Sequence, residues 1–201
     1  MKPASPSLSM ARLVLASTSP YRKQLLERLG IDFIAAAPRV DEARLPGEPP
    51  ETLVRRLAEA KARAVAVRHP DALIIGSDQV ALLCGEIVGK PGSHEQAMFQ
   101  LRRASGSRVV FLTGLCLLHS DSGRCEVDVA RYSVVFRQLT DTQIEGYLRR
   151  EKPYDCAGSF KSEGLGVALF ERMEGDDPSA LIGLPLILLT RMLERAGMPV
   201  L

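Results

Sequence analysis

The stretch ALIIGSDQ, residues 72–79, is the clearest signature of the fold in this chain. Its apolar run ends in Gly76, and an acid follows two residues later. This pattern predicts a buried strand that delivers Asp78 to its C-terminal end. Open α/β sheets bind their ligands at that edge, so Asp78 is a candidate for chemistry. An aspartate that only caps the turn after the strand would give the same pattern.

Strands and capped helices alternate before this stretch. Ser19 is a suitable N-cap, Pro20 suits the first helical position, and Gly30 lies where a helix C-terminal cap belongs. The predicted elements are a strand over 13–16, a helix between residues 19 and 30, a strand over 31–36, a loop over 38–50 and a helix from about 51 to 68.

The chain after residue 79 predicts more antiparallel structure. The predicted elements are first a hairpin over 80–88, a helix from the capping-box pattern at 93–96 to Gly106, and strands over 109–118 and 126–136. They are followed by a helix from a second capping box at 140–143 to about 150 and a strand over 167–173. The last is a helical region from 177 that resumes after Pro185 to reach 194. The predicted class is therefore mixed α/β.

Length and composition favour one globular domain. The chain has 201 residues and a net charge of +2, which argues against a long nucleic-acid polymer as partner. Residues 1–9 are polar and rich in Ser and Pro, so a disordered extension is expected there, and the domain is expected over 10–201. Either Met1 or Met10 could be the first residue of the protein. No apolar run has the length of a signal-peptide core or a membrane span, and a cytoplasmic location is expected.

The four cysteines are far apart and form no C-x-x-C pair. In a chain with no evident secretion signal this pattern predicts reduced thiols, most of them small core residues, and argues against a zinc site.

Four polar clusters are candidates for binding or catalysis. Small hydroxyls, free amides and Arg22 at the start of the first helix suit an anion. Asp41 and Glu42, in the loop after the second predicted strand, suit a hard cation such as Mg²⁺. Taken singly, each cluster is also compatible with a capped helix or a solvated loop. The clusters are STSPYRK (17–23), VDE (40–42), GKPG (89–92) and DCAGSFKSEG (155–164).

Together the clusters resemble the Maf family of nucleotide pyrophosphatases, from residue 13 to about 197. The matching motifs are LASTSPYR (15–22), VDE (40–42), LAEAKA (57–62), IIGSDQV (74–80), GKP (89–91), TGL (113–115), CAGSFKSEG (156–164) and GLPL (183–186). The resemblance implies a mixed, strongly twisted sheet flanked by helices, with a cleft between two lobes, as in inosine-triphosphatase-like proteins.

The resemblance also implies an activity and its residues. Members of this family cleave a nucleoside triphosphate between the α and β phosphates with a divalent metal, Mg²⁺ or Mn²⁺. Asp78 matches the residue assigned as catalytic base, and the sequence leaves open whether it acts as base or as metal ligand. Glu42 is the candidate for a second acid at the metal site. The positions that match phosphate-binding motif residues are Ser17, Arg22, Lys61 and Lys90.

Within the family, the resemblance is closest to the branch that hydrolyses 7-methyl-GTP. Tyr21, Gln79 and Glu163 occupy the branch-specific positions, whereas the dTTP/UTP branch has Arg after SP and Thr after SD. The base of 7-methyl-GTP is cationic, so an aromatic face and a carboxylate should favour it, although tyrosine stands where tryptophan is more readily expected. Gln79 is expected to make paired hydrogen bonds to a base edge.

Alternatives remain at this point. The chain could be a dTTP/UTP pyrophosphatase of the same family, or a nucleotide-binding regulator of cell division. The expected partner is a small-molecule nucleotide, with no membrane and no nucleic-acid polymer. The sequence does not decide the oligomeric state and leaves a homodimer open.

Overall fold

The computed structural model describes residues 12–201, so the expected extension over 1–9 and the alternative start at Met10 lie outside the described residues. None of the helices within this range is both long enough and apolar enough to cross a membrane. The strands are β1 (Arg12–Ala16), β2 (Phe33–Ala35), β3 (Ala72–Leu83), β4 (Glu86–Val88), β5 (Arg108–His119), β6 (Cys125–Phe136) and β7 (Phe170–Glu174). The helices are α1 (Pro20–Glu27), α2 (Pro50–Ala66), α3 (His94–Ala104), α4 (Asp141–Glu151), α5 (Ser179–Ile182) and α6 (Leu186–Arg195).

One mixed sheet organises these elements, and the predicted mixed α/β class is confirmed. The strand order is β2-β1-β3-β5-β6-β7, and β4 pairs separately with β3. β1 is parallel to both of its neighbours, and all other pairs are antiparallel. Helix α2 packs on one face of the central strands, and α1 and α6 pack on the other. Helices α3 and α4 cover the far end of the sheet, around Phe111 and Phe136.

Strand β3 is longer than the sequence predicts. The expected strand end at Gly76 is wrong, because residues 77–79 continue the pairing with β5 without a break. The expected hairpin over 80–88 is confirmed, with the last part of β3 as its first strand and β4 as its second. The polar side chains of residues 77–79 find partners inside the protein, so the strand does not have to stop at them. Asp78 therefore lies within a strand and not at its end, although the parallel part of the sheet does stop at Gly76, opposite the last residue of β1.

Two glycines let helix α2 lie very close to the sheet. A Cβ atom at Gly76 would be 2.0 Å from the carbonyl oxygen of Ala58, and one at Gly114 would be 2.2 Å from that of Val54. Side chains on one face of a strand recur every two residues, so Asp78 faces α2 as Gly76 does. Lys61 lies one helical turn beyond Ala58 and is thereby brought over Asp78.

Three local predictions differ from the structure. The strand predicted over 167–173 begins at Phe170, because residues 165–169 form a 3₁₀ turn. The capping box is complete at Thr140–Gln143, whereas at Ser93 only the serine side chain accepts a helix amide. Of the four cysteines only Cys116 is buried, so most of them are not core residues.

Candidate active site

A cleft opens along the unpaired edge of β3. Within residues 12–201, β1 ends opposite Gly76 and β4 ends opposite Ala81, so no strand pairs with residues 77–80 on this side. The cleft has a volume of about 540 Å³, within the range of small-molecule sites. All nine predicted site residues line it: Ser17, Tyr21, Arg22, Glu42, Lys61, Asp78, Gln79, Lys90 and Glu163.

Lys61 joins two carboxylates at one end of the cleft. Its Nζ atom lies 2.7 Å from Asp78 Oδ1 and 2.8 Å from Glu42 Oε1. Asp78 and Lys61 are buried, whereas the Glu42 side chain is 60% exposed. The resemblance predicts that Lys61 binds phosphate, and in the structure it also pairs with two acids and so holds them near each other.

The surroundings of Asp78 act on its pKa in opposite directions. Burial raises the pKa of Asp78, while Lys61 and Arg22 oppose the shift. A raised pKa makes the carboxylate a stronger base than an ordinary surface aspartate, while the two cations favour its ionised form. Burial lowers the pKa of Arg22, and the nearby Asp78 and Glu42 counteract that effect.

Arg22 is held in place by the loop between α5 and α6. Its Nε donates to the carbonyl of Gly183 at 2.8 Å, and Ser77 Oγ donates to the same carbonyl at 2.9 Å. Ser19 caps α1 by accepting from the Arg22 amide, and Ser17 Oγ accepts from the Ser19 amide at 3.1 Å. No other hydrogen bond of the guanidinium occurs in the described part of the chain, so its terminal nitrogens remain available for an anion.

The other end of the cleft is acidic and aromatic. Burial raises the pKa of the Tyr21 phenol, and Cys156, Asp155 and Glu163 raise it further. Burial and Asp155 also raise the pKa of the Cys156 thiol, to about 12. Both groups therefore stay neutral at physiological pH, and the two carboxylates supply the charge. A neutral ring next to carboxylates is a suitable environment for a cationic, planar ligand.

The amide of Gln79 has a fixed orientation. Its Nε2 donates to Thr113 Oγ1 at 3.0 Å and to the carbonyls of Ala180 at 2.7 Å and Leu181 at 3.1 Å. Its Oε1 has no partner among the described residues, and no buried side-chain oxygen there is unsatisfied, so Oε1 is accessible from the cleft. Gln79 thus offers an acceptor to a ligand, and both of the hydrogen bonds expected with a base edge would have to be accepted by Oε1, which stays a prediction.

Two charged residues at the cleft were not assigned a role from the sequence. Arg39 lines the cleft beside the acidic loop, and Asp155 lines it at the Tyr21 end. Arg39 directly precedes the VDE motif and Asp155 opens the fourth cluster, so their positions next to motifs were the available signal. Lys161, by contrast, donates to the carbonyl of Glu151 at the end of α4 and does not line the cleft.

The chain is similar to known proteins over nearly all of its length. The sequence model of the Maf-like protein family matches residues 12–196. A 7-methyl-GTP pyrophosphatase of Nitrosococcus oceani is 59% identical over 196 residues, which cover 98% of each chain. The Ham1 protein of Staphylococcus aureus has a similar fold, with a TM-score of 0.53 and 15% identity over 92% of this chain and 99% of that one.

Proposed function

The chain belongs to the Maf family of nucleotide pyrophosphatases, and from that membership we propose that it hydrolyses 7-methyl-GTP to 7-methyl-GMP and pyrophosphate. The observation that carries the proposal is that two sets of interacting side chains line one cleft. The first set, called the base end, includes Tyr21, Asp155, Cys156 and Glu163, and its aromatic ring and acids suit a cationic base. The second set, called the phosphate end, includes Arg22, Glu42, Lys61 and Asp78, and its cations suit a triphosphate.

The base end favours 7-methylguanine for electrostatic reasons. Methylation at N7 gives the ring a positive charge, which Tyr21 can stabilise through its π face and Glu163 and Asp155 through their carboxylates. Guanine also presents two adjacent donors, N1–H and the exocyclic amino group, and the Gln79 Oε1 acceptor suits such an edge. Thymine and uracil place one N–H between two carbonyls, which an acceptor and two carboxylates match less well.

The phosphate end supplies cations and directed donors. We assign phosphate contacts to Arg22, Lys90 and Ser17, with Arg39 nearby as a further cation. Charge builds on the phosphate oxygens as the α–β bond breaks, and positioned cations stabilise it. Lys61 contributes less directly, because two of its donors already bind carboxylates.

Asp78 is assigned the proton-accepting role. A water molecule attacks the α phosphorus, and Asp78 accepts a proton from this water. The bridging oxygen of the α–β anhydride then leaves with the pyrophosphate. Burial raises the pKa of Asp78 and thereby strengthens it as a base. Its contact with Lys61 holds the carboxylate in one orientation.

The donor set also fits a divalent metal. Within residues 12–201 no group of three or more His, Cys, Asp or Glu side chains could enclose a metal. Mg²⁺ does not require such a cage, because it is commonly bound by one or two carboxylates together with substrate phosphates. Asp78 and Glu42 would hold Mg²⁺ or Mn²⁺ here, and the metal would neutralise charge on the triphosphate. We further propose that the enzyme acts in the cytoplasm, where the nucleoside triphosphate pool lies.

A panel of nucleotides tests the proposal. Purified protein is incubated with Mg²⁺ and 7-methyl-GTP, GTP, dTTP or UTP, and the nucleotide products and pyrophosphate are measured. We expect 7-methyl-GMP and pyrophosphate as the main products, and loss of turnover with retained nucleotide binding in Asp78→Asn. Release of inorganic phosphate and a diphosphate would contradict the bond assignment. Full activity in Asp78→Asn would remove this residue from the mechanism.

A further inference from the structure

The loop that carries Glu42 is fastened to helix α2 by two residues outside the cleft. Arg56 Nε lies 2.6 Å from Glu48 Oε1, and Arg56 Nη2 lies 2.8 Å from Glu48 Oε2. This is the two-pronged geometry that makes arginine–carboxylate pairs both strong and directional. Neither residue lines the cleft.

Further hydrogen bonds of this pair fix the loop backbone. Arg56 Nη2 donates to the carbonyl of Ala43 at 3.0 Å, and Glu48 Oε2 accepts from the amide of Leu45 at 3.1 Å. The carbonyl of Glu48 accepts from Arg44 Nε at 2.8 Å. Ala43 and Glu48, at the two ends of the segment 43–48, therefore both bind the Arg56 side chain of α2.

Glu48 is built into this position as a charged group. Its side chain is buried, and the Arg56 guanidinium lowers the pKa of its carboxyl to about 2, with a contribution from the Leu45 amide. A buried carboxylate is costly unless it is paired and hydrogen-bonded, and here it has both kinds of partner.

Glu42 itself has little else to hold it. Its side chain is 60% exposed, and Lys61 is the one side chain that pairs with it among the described residues, so holding it in place costs the entropy of a long side chain. Ala43, the next residue, is the one bound by Arg56. Arg56 and Lys61 lie on the same helix, so one rigid element binds both the residue next to Glu42 and the Glu42 carboxylate.

We propose that Glu48 and Arg56 are positioning residues for Glu42, acting through the loop 43–48 and without contact to the substrate. The inference rests on the proposed function for its effect on turnover, but the fastening of the loop can be measured independently. Loss of the Glu48–Arg56 pair leaves Glu42 on a mobile loop, so the Glu42 carboxylate lies beside Asp78 for only part of the time.

A double-mutant cycle tests the effect on turnover. Glu48→Gln is made in the wild-type and in the Glu42→Gln background, and kcat/KM for 7-methyl-GTP is measured. We expect Glu48→Gln to lower kcat/KM about tenfold in the first background, as is typical for residues that orient a ligand-binding acid, and by less than about twofold in the second. Equal factors in both backgrounds would overturn the proposal, because Glu48 would then act independently of Glu42.

Amide hydrogen exchange provides the readout that does not depend on activity. Exchange over residues 43–48 should become faster in Glu48→Gln, and unchanged exchange there would overturn the proposal even if no nucleotide is hydrolysed. The matched control is Glu59→Gln, which breaks an exposed pair with Arg63 on the same helix and should change neither readout. If Glu48→Gln does not fold, Arg56→Lys replaces it in the same cycle, because lysine keeps the charge and loses the two-pronged contact.

Discussion

Lys61 is the residue through which the effect of nearby charges on Asp78 can be tested. It touches both Asp78 and Glu42 and lowers the pKa of Asp78 against the effect of burial. Asp78 must be ionised to accept a proton, so kcat/KM should fall as the pH drops through its raised pKa. Lys61→Gln removes the opposing charge, and the pKa of Asp78 should rise further.

The measurement is the pH profile of kcat/KM in the wild type and in Lys61→Gln. We expect the acid limb of the profile to move to higher pH in the variant, with a lower plateau. Lys23→Gln, which removes an exposed lysine paired with Glu27 on α1, should leave the limb in place. An acid limb at the same pH in Lys61→Gln would show that Asp78 does not control it.

A substitution of Glu163 tests base recognition at the level of a single residue. Glu163→Gln keeps the shape of the side chain and removes its charge, so it should weaken attraction to the cationic base alone. Because Glu163 is exposed, the expected loss is about two- to fivefold in kcat/KM for 7-methyl-GTP, with GTP nearly unaffected. Glu171→Gln, an exposed acid outside the cleft, is the control. An equal loss for both nucleotides would exclude a charge-based role for Glu163.

The residues that line the cleft could be predicted from the sequence, but the hydrogen-bond and ion-pair partners of those residues could not. The motifs identified nine lining residues, because short stretches around each one carry the family resemblance. The orientation of Gln79 depends on the carbonyls of Ala180 and Leu181, about a hundred residues further along the chain. No local pattern around Gln79 indicates contacts at that separation.

At the scale of elements, the close packing of α2 on β3 positions Lys61 over Asp78. Gly76→Ala would place a methyl group 2.0 Å from the Ala58 carbonyl oxygen, so α2 would have to move. We expect a loss of about 1–3 kcal/mol in the free energy of unfolding. Turnover should also fall, because Lys61 would be displaced from Asp78.

The control for this prediction is Gly146→Ala in helix α4. A Cβ atom at Gly146 meets no other atom within 4 Å, and alanine is the better helix former. The free energy of unfolding should therefore rise by about 0.5–1 kcal/mol. Chemical denaturation of both variants gives the comparison, and a Gly76→Ala protein as stable as wild type would contradict the packing argument.

The main error of prediction at this scale concerns β3. The polar residues after Gly76 are usual at the end of a strand, and the sequence pattern therefore predicts a break there. The strand continues because Ser77 and Gln79 bind the segment 180–183 on one face while Asp78 binds Lys61 on the other. The parallel part of the sheet nevertheless ends where the pattern indicates, which explains why the predicted catalytic residue was correctly placed beside a cleft.

For the whole molecule, one cleft brings together segments from almost the entire described chain. Residues from the start of α1, the acidic loop, α2, β3 and the 155–163 loop line it. The fold is similar to that of the Staphylococcus aureus Ham1 protein at only 15% identity, so the architecture alone says little about the base. Base preference has to come from the side chains at the Tyr21 end of the cleft.

The ratio of kcat/KM for 7-methyl-GTP to kcat/KM for GTP in the wild-type protein is therefore the most direct measurement. The two nucleotides differ by one methyl group and the positive charge that it creates. Stacking on Tyr21 and the nearby carboxylates should raise the ratio to about ten, with pyrophosphate as the product. A ratio of one or less, or faster cleavage of dTTP or UTP, would contradict the assignment of this site to 7-methyl-GTP.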